Sequence, residues 1–335
     1  MEFPYDAAPA VGQPVEVAPG VLWVRLDLPF RLNHVNIYLL ADGDGFAVVD
    51  TGIGDDRTQA VWDALLAGPL RGRAPTRVIV THYHPDHAGM AGWLCERFGA
   101  PLLMSQSEYL TGLTIRLDPE GMDAEPYWSF YREHGLDEVT TRELLTNGLR
   151  YLRMMTGWPS TFRRLIAGEA LAIGGRRFEV LSGGGHSPEQ IMLHCAQDGL
   201  LLCADQVLAR ISPNISVMAV DPEGDPLGIF LRSLAELRRG VAGDVLVLPG
   251  HNLPFRGLHE RVDELVTHHA GRCAAIEVAC RDRGWTVAGL VPVVFGRVID
   301  DPHQMGFAFS EALAHVNFMV RAGRLRYSGG VYRGV

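Results

Sequence analysis

The residues whose side chains are best suited to carry out chemistry form one short cluster in the first third of the chain. The segment 81–87 reads Thr-His-Tyr-His-Pro-Asp-His, so three imidazoles and one carboxylate fall within six positions, at His82, His84, Asp86 and His87. Because it follows a strand-like run at 77–80, alternate histidines at the strand end can point the same way. Such a ligand mixture suits a borderline ion such as zinc, with iron or manganese as alternatives. A metal site is therefore predicted in preference to a histidine-rich surface loop.

Four further residues with ligand chemistry stand at the end of an apolar run or just past one. They are Asp50, His186, Asp205 and His251. A single histidine or aspartate at a strand end is usually a cap or a hydrogen-bonded loop residue. The ordered series, in contrast, indicates that several strands each deliver one ligand to a common site.

This order resembles the metallo-β-lactamase superfamily, with Asp50, the HxHxDH motif at 82–87, and then His186, Asp205 and His251. The resemblance implies an α+β fold, namely a four-layered αββα sandwich with the metal site along one edge of the packed sheets. It further implies that one metal is held by His82, His84 and His186, and a second by Asp86, His87 and His251. Asp205 would bridge the two ions. Asp50 would orient ligands without binding metal itself.

The chemistry of such a centre is hydrolytic. Two divalent cations, expected about 3.5 to 4 Å apart, would bind a water between them and lower its pKa towards neutrality, which gives a hydroxide nucleophile. The same ions would polarise a carbonyl or phosphoryl oxygen and stabilise the charge that develops on it. Asp86 is predicted to be catalytic as well as a ligand, because it can accept a proton from the attacking water. The chain is therefore predicted to be a metal-dependent hydrolase.

Composition limits the other function classes. The 335 residues are 47% hydrophobic and 21% charged, which describes a globular chain long enough for one large sandwich and an appendage. A net charge of −9 disfavours nucleic acid as a partner, because a general nucleic-acid-binding surface is basic. All 30 basic residues are arginine, which excludes Schiff-base chemistry by lysine. The five cysteines have no CxxC spacing and are interpreted as reduced core residues.

The N-terminal residues lack a basic region followed by an apolar stretch, and no apolar run approaches the ~18 residues of a membrane span. We therefore expect a cytoplasmic protein without a membrane partner.

The chain divides into a predicted catalytic domain at 1–256 and a C-terminal module at 257–335. Within the first, residues 106–166 are rich in aromatic residues and methionine and are predicted to form a helical lid inserted between the HxHxDH motif and His186. Its apolar groups would suit an acyl chain. The predicted substrate-binding residues are Tyr83, Trp128 and Trp158. The alternative is that most aromatic residues of the insertion pack the helices on the sandwich.

The C-terminal module is predicted to contain helices at 260–284, 287–295 and 305–322, followed by a hairpin at 324–333. Helices followed by a small β wing are winged-helix-like, and the segments 301–304 and 312–315 resemble the C-terminal extension of one branch of the superfamily. The helix at 305–322 has Arg321 as its one permanently basic residue. Packing on the sandwich or on a second subunit, as in a homodimer, is therefore favoured over DNA binding.

Two functions remain open. The first is a dinuclear hydrolase, for example a thioesterase, that cleaves an ester, thioester or lactone bond of a small, partly apolar substrate. The alternative is an endoribonuclease or phosphodiesterase with the same centre, as in some relatives with this tail. It needs a basic path to the metals, for which the local candidates are the arginine pairs at 71–73, 163–164 and 176–177. A degenerate, non-enzymatic ligand sensor is disfavoured by the intact ligand set.

Overall fold

Two large β-sheets form the centre of the molecule, whose computed structural model describes residues 1–121 and 123–335. The seven-stranded sheet follows chain order, with β1 (Val15–Ala18), β2 (Val21–Asp27), β3 (His34–Asp42), β4 (Gly45–Val49), β5 (Pro75–Ile79), β6 (Leu102–Met104) and β7 (Arg163–Arg164). The five-stranded sheet has the order β12-β11-β10-β9-β8, built from β8 (Ala170–Ile173), β9 (Arg176–Gly183), β10 (Gln190–Cys195), β11 (Leu200–Ala204) and β12 (Leu246–Pro249). A separate hairpin joins β13 (Leu325–Ser328) and β14 (Val331–Gly334).

Eleven helices in the described residues surround the sheets: α1 (Asp56–Ala67), α2 (Pro85–Ala88), α3 (Ala91–Phe98), α4 (Gln106–Leu117), α5 (Glu125–Glu133), α6 (Glu138–Leu145), α7 (Asn147–Leu152), α8 (Pro226–Gly240), α9 (Leu258–Ala279), α10 (Val287–Phe295) and α11 (Pro302–Arg321). Three apolar cores separate four layers. One core lies between the sheets, around Trp23 and Phe178. The second packs Trp62 of α1 against the first sheet, and the third packs Phe230 of α8 against the second sheet. The predicted αββα sandwich is confirmed. None of the helices described here combines the length and apolar character needed to cross a bilayer.

Strand direction brings the ligand-bearing loops together. Strands β4, β5 and β6 are parallel, so the residues that follow them leave the first sheet at one edge. In the second sheet β9 and β11 are both antiparallel to β10, and β12 is parallel to β11, so their carboxyl ends also share an edge. The two edges coincide, because His87 and Asp205 carry side chains 3.5 Å apart, between Nε2 and Oδ1.

The predicted C-terminal helices and hairpin occur close to the predicted bounds, with one informative difference. The helix predicted to reach residue 284 ends at Ala279 instead. Beyond the end of the helix, the backbone of Trp285 exchanges two hydrogen bonds with that of Tyr332, at 3.0 and 2.8 Å. The chain therefore leaves the helix and pairs with the hairpin.

The insertion at 106–166 packs on both outer layers. Tyr109, Tyr151 and Trp158 belong to the core on the first sheet, whereas Tyr131 and Leu145 belong to the core that contains α8 and the C-terminal helices. The packing alternative therefore accounts for most of its aromatic residues. The C-terminal module has the predicted order of helices followed by a hairpin, and it packs on the sandwich through the same core.

A buried asparagine ties the first sheet to the loop after β12. The side chain of Asn36 accepts a hydrogen bond from Trp23 Nε1 at 2.8 Å, and its amide donates to the carbonyls of Pro249 at 2.9 Å and Asn252 at 2.8 Å. The backbone nitrogen of Asn36 donates to the carbonyl of Gly250 at 2.7 Å. Because Asn36 is 1% exposed, each of these bonds replaces a lost water contact. The loop that carries His251 is thereby fixed to β3.

We predict that Asn36→Ala lowers the free energy of unfolding by about 2–4 kcal/mol, since it leaves one buried donor and two buried carbonyls with fewer partners. Urea unfolding followed by circular dichroism measures the change. The exposed Asn33→Ala is the control and should cost less than about 1 kcal/mol. Equal stability of both variants would contradict the role given to Asn36.

Candidate metal centre

Seven side chains with metal-ligating atoms converge where the sheet edges meet. Three groups have ligand atoms within 4.8 Å of one another: His82 with His84 and His186, His82 with His87 and Asp205, and Asp86 with His87 and His251. The first and third groups are the two sets implied by the superfamily resemblance. The structure therefore brings together every residue predicted as a ligand, while their assignment to individual ions stays a prediction.

Asp205 lies between the two sets. Its Oδ2 is 3.4 Å from His186 Nε2 and 3.2 Å from His251 Nε2, and its Oδ1 is 3.5 Å from His87 Nε2. Asp86 Oδ2 stands 3.4 Å from His251 Nε2 on the other side. One carboxylate thus faces imidazoles of both predicted ion sites, which is the position a bridging ligand requires.

The donor atoms are better placed to bind divalent cations than to form hydrogen bonds with one another. His87 Nε2, His186 Nε2 and Asp205 Oδ1 are buried and have no hydrogen-bond partner among the described residues. Leaving such atoms unpaired costs about 1–3 kcal/mol each. Nitrogen and carboxylate donors in this number are the ligands of zinc, iron and manganese sites. The residues present therefore match the divalent metals that the ligand chemistry implies.

Hydrogen bonds at the far side of the rings fix their direction. His87 Nδ1 contacts Asp50 Oδ2 at 2.8 Å, and Asp50 Oδ1 accepts from the backbone nitrogen of Thr81 at 2.8 Å. His186 Nδ1 donates to the carbonyl of Asn214 at 2.8 Å. His251 Nδ1 donates to the carbonyl of His34 at 2.6 Å. Such outer contacts leave Nε2 free to bind metal in a defined tautomer and orientation.

Protons balance the charge of the cluster. Burial alone would lower the pKa of His251, but Asp205 and Asp86 raise it to about 10, and carboxylates likewise hold the pKa of His87 well above its ordinary value. Burial would raise the pKa of Asp205, yet His251 and His87 keep it well below the usual range. By contrast, burial and the nearby His186 lower the pKa of His84 to about 3. Binding of cations would displace the protons of His87 and His251.

We predict that Asp50→Asn weakens metal binding by about 10- to 100-fold, because the amide no longer fixes His87 with a charged acceptor. Competition with a chromophoric chelator measures the affinity. The exposed Asp44→Asn, in the turn after β3, is the control and should bind metal as the unmodified chain does. An unchanged affinity in Asp50→Asn would show that the Asp50 contact does not support the ligand.

One buried carboxylate outside the predicted ligand set joins two ligand loops. Glu108, in the first turn of α4, is 0% exposed. It accepts hydrogen bonds from the backbone nitrogen of Tyr83 at 2.9 Å, from Ser187 Oγ at 2.7 Å and from the backbone nitrogen of Glu189 at 2.6 Å. Burial raises its pKa to about 7. Since Tyr83 adjoins His82 and His84, and Ser187 adjoins His186, Glu108 sets the spacing of these loops.

A sequence signal for Glu108 exists, but it points to a different role. Ser105 and Glu108 have the S-x-x-E spacing of a helix capping box directly after β6. Ser105 does cap α4 by accepting from the backbone nitrogen of Glu108 at 3.4 Å. The glutamate side chain, however, turns to the neighbouring strand ends instead of returning to Ser105.

We predict that Glu108→Gln lowers the free energy of unfolding by about 1–3 kcal/mol, because one acceptor oxygen becomes an amide that faces existing donors. Urea unfolding of the metal-loaded and metal-free forms gives this value. The exposed Glu96→Gln, on α3, is the matched control and should be neutral within about 0.5 kcal/mol. A neutral Glu108→Gln would refute the proposed connection.

The three residues predicted to contact substrate lie in different surroundings. Tyr83 is at the centre, with its ring 4.7 Å from that of His84 and its hydroxyl 4.0 Å from Met218 Sδ. Trp128 is half-buried against the C-terminal core, and the Arg142 guanidinium lies 5.1 Å from its ring. Trp158 is 4% exposed and packs in the core beside Tyr109. The packing interpretation therefore accounts for Trp158, and the contact with substrate predicted for it is not supported.

Two of the arginine pairs considered for a nucleic-acid path lie at the opposite edge of the sheets. Arg73 donates to the carbonyl of Gly45 at 2.7 Å, at the start of β4. Arg176 begins β9 and pairs with Asp198. The metal loops follow the other ends of these same strands. Arg163 and Arg164 form the exposed strand β7. The pairs at 71–73 and 176–177 therefore provide no path to the donors.

Fold and site together define a metal-dependent hydrolase. The model of the metallo-beta-lactamase superfamily matches residues 31–251, and the model described as metallo-beta-lactamase-like, C-terminal domain, matches residues 273–333. The chain belongs to the metallo-β-lactamase superfamily.

Relatives of similar length agree with this assignment. The probable metallo-hydrolase YqjP of Bacillus subtilis (strain 168) is 22% identical over 306 residues, which cover 89% of this chain and 92% of the relative. A beta-lactamase domain protein from Burkholderia ambifaria has a TM-score of 0.90 and 39% identity, covering 100% of this chain and 97% of its own. A metallo-beta-lactamase family protein from Thermus thermophilus, TTHA1429, has a TM-score of 0.80 and 29% identity, covering 96% of this chain and 100% of its own. The similarity thus extends through the C-terminal module.

Proposed function

We propose that this hydrolase cleaves an ester, thioester or lactone bond of a small, partly apolar substrate at a dinuclear metal centre. The observation that carries the proposal is a set of apolar side chains beside the ligand loops, most of them exposed. We call this set, Tyr83, Met218 and Ile229, the apolar rim.

Each member of the apolar rim is tied to a ligand loop. Met218 contacts the Tyr83 hydroxyl and is 36% exposed. Ile229 is 43% exposed and approaches Gly184, two residues before His186, so closely that a Cβ there would lie 2.7 Å from its Cγ2. Exposed apolar groups gathered near a polar site are typical of a ligand-binding surface. They favour an acyl group over a bare phosphodiester.

The candidate ligands suit two divalent ions, for which we propose zinc, with iron or manganese as alternatives. When bound, such ions supply Lewis acidity for a carbonyl oxygen and activate water for attack at neutral pH. The rings of His82, His87 and His251 are fixed by their outer hydrogen bonds and need no reorganisation during the reaction.

Asp86 is the chain's own proton acceptor in this proposal. Its side chain is 19% exposed, more than those of Asp205, His87 and His251, so it is open to an entering substrate. Burial would raise its pKa, but the adjacent His87 and His251 keep the pKa well below the usual range. The carboxylate is therefore ionised and can take a proton from the attacking water. Because it holds that proton weakly, it can pass the proton to the leaving group.

We predict that Asp86→Ala lowers kcat by at least about 100-fold, because it removes both a ligand and the proton acceptor. Steady-state hydrolysis is measured together with metal content by mass spectrometry. The exposed Asp44→Ala is the matched control and should retain both. Full activity of Asp86→Ala at full metal content would remove Asp86 from the mechanism.

A substrate panel tests the proposed reaction. The metal-loaded protein is assayed with aryl esters, acyl thioesters, lactones and single-stranded RNA, and each substrate is repeated after chelation. We expect chelator-sensitive hydrolysis of carbonyl substrates, with kcat/KM rising as the acyl chain lengthens, because the apolar rim gains contact. Cleavage of RNA alone would overturn the proposal in favour of the endoribonuclease alternative.

A further inference from the structure

A cavity of about 650 Å³ outside the metal site is lined by several basic residues. It lies between the segment 210–212, α9 and α11. Four arginines converge on it from separate parts of the chain, namely Arg210, Arg261, Arg272 and Arg297. We call this cavity the arginine cleft. A cavity of this size accommodates a ligand of many atoms, whereas a single ion would leave most of it empty.

The charges of the arginine cleft do not cancel. Two glutamates also line it, so four arginines face two carboxylates. Glu264 pairs with Arg261 at 2.8 Å, and Glu311 pairs with Arg272. In the part of the chain that the structure describes, Arg210 and Arg297 are exposed and have no ion-pair partner within 4.0 Å. The cleft thus offers two unneutralised guanidinium groups although the whole chain carries a net charge of −9.

The paired arginines are also held in place. Arg261 donates to the carbonyls of Leu208 at 2.7 Å and Ile211 at 2.9 Å, which fixes it under the segment that forms one wall. The guanidinium of Arg272 lies 4.6 Å from the Phe295 ring. Arg261 and Arg272 are therefore fixed parts of the wall, and Arg210 and Arg297 are the arginines left to bind an anion.

The wall of the arginine cleft is also a wall of the metal site. The backbone nitrogen of Arg210 donates to Asn252 Oδ1 at 3.3 Å, next to His251. Asn214, two residues past Ser212 of the cleft, accepts from His186 and donates to Glu311 at 3.0 Å. Two residues of chain span at most about 7 Å. The cleft and the metal site are therefore neighbours that share the segment 210–214 as a common wall.

We propose that the arginine cleft binds phosphate groups on the leaving part of the substrate, while the acyl part lies at the apolar rim and the scissile carbonyl at the metals. Guanidinium groups recognise phosphate through paired, charge-assisted hydrogen bonds. The substrate class is then an acyl thioester or ester of a phosphorylated thiol or alcohol. This inference rests on the proposed function, because it assigns the leaving part of that same substrate.

The test compares two thioesters with the same acyl chain. One is the acyl-coenzyme A, which carries three phosphates, and the other is the acyl thioester of N-acetylcysteamine, which carries none. We expect Arg210→Gln/Arg297→Gln to lower the ratio of kcat/KM for the phosphorylated over the neutral thioester by at least about tenfold, mainly through KM. The matched control is Arg71→Gln, an exposed arginine at the opposite sheet edge, which should leave the ratio unchanged. An equal ratio in both variants and the unmodified chain would overturn the proposal.

A binding measurement separates failure of the cleft from failure of the proposed reaction. ADP is titrated calorimetrically into the metal-loaded protein, the double variant and Arg71→Gln. If no thioester is cleaved, a loss of ADP affinity confined to the double variant still supports phosphate binding in the arginine cleft. ADP binding through the cleft with an unchanged kinetic ratio would mean a separate ligand and would overturn the leaving-group assignment. Cleavage of single-stranded RNA that depends on Arg210 and Arg297, without thioester cleavage, would also overturn it.

Discussion

The structure depends on the confinement of many polar donors at one sheet edge. Five imidazoles and two carboxylates stand within a few ångströms of one another, and His87, His186 and Asp205 each leave a buried atom unpaired among the described residues. Such an arrangement is costly unless cations or protons bind it. The fold meets this requirement by ending strands β4, β5, β9, β11 and β12 at a common edge and by fixing each ring from behind. The same constraint thus governs both the architecture of the sheets and the chemistry of the site.

The sequence predicts the donors well because each stands at the end of a recognisable apolar run. Local pattern does not reveal the residues that hold them, because their partners are distant in sequence. Asn36 reaches Pro249 across 213 positions, and Glu108 reaches Tyr83 across 25. Taken alone, Glu108 has the spacing of a helix cap and Asn36 is one polar residue in a strand. Only the packed sheets make both of them supports of the metal loops.

The insertion shows a second limit of sequence patterns. Its aromatic residues are equally compatible with a substrate lid and with a core, because both bury apolar surface. Trp158 belongs to the core on the first sheet, and Trp128 is half-buried on the C-terminal side. By contrast Tyr83, which belongs to the HxHxDH segment, lies beside His84. Membership of a chemical motif therefore predicts proximity to the metal site better than the aromatic composition of a segment does.

The C-terminal helices contribute to the site by forming hydrogen bonds with a segment that has no helix or strand of its own. Residues 206–225, between β11 and α8, form neither helix nor strand, so their backbone groups need partners elsewhere. Arg261 of α9 binds the carbonyls of Leu208 and Ile211, and the carbonyl of Ser310 in α11 accepts from Val217. The same segment supplies Asn214 to His186 and Met218 to the apolar rim. Because the metal loops come from strand ends while this wall is held by the C-terminal helices, changes in those helices can alter the shape of the site without altering its metal ligands. The predicted metal ligands thus all come from the sandwich, while the module supports one wall beside them.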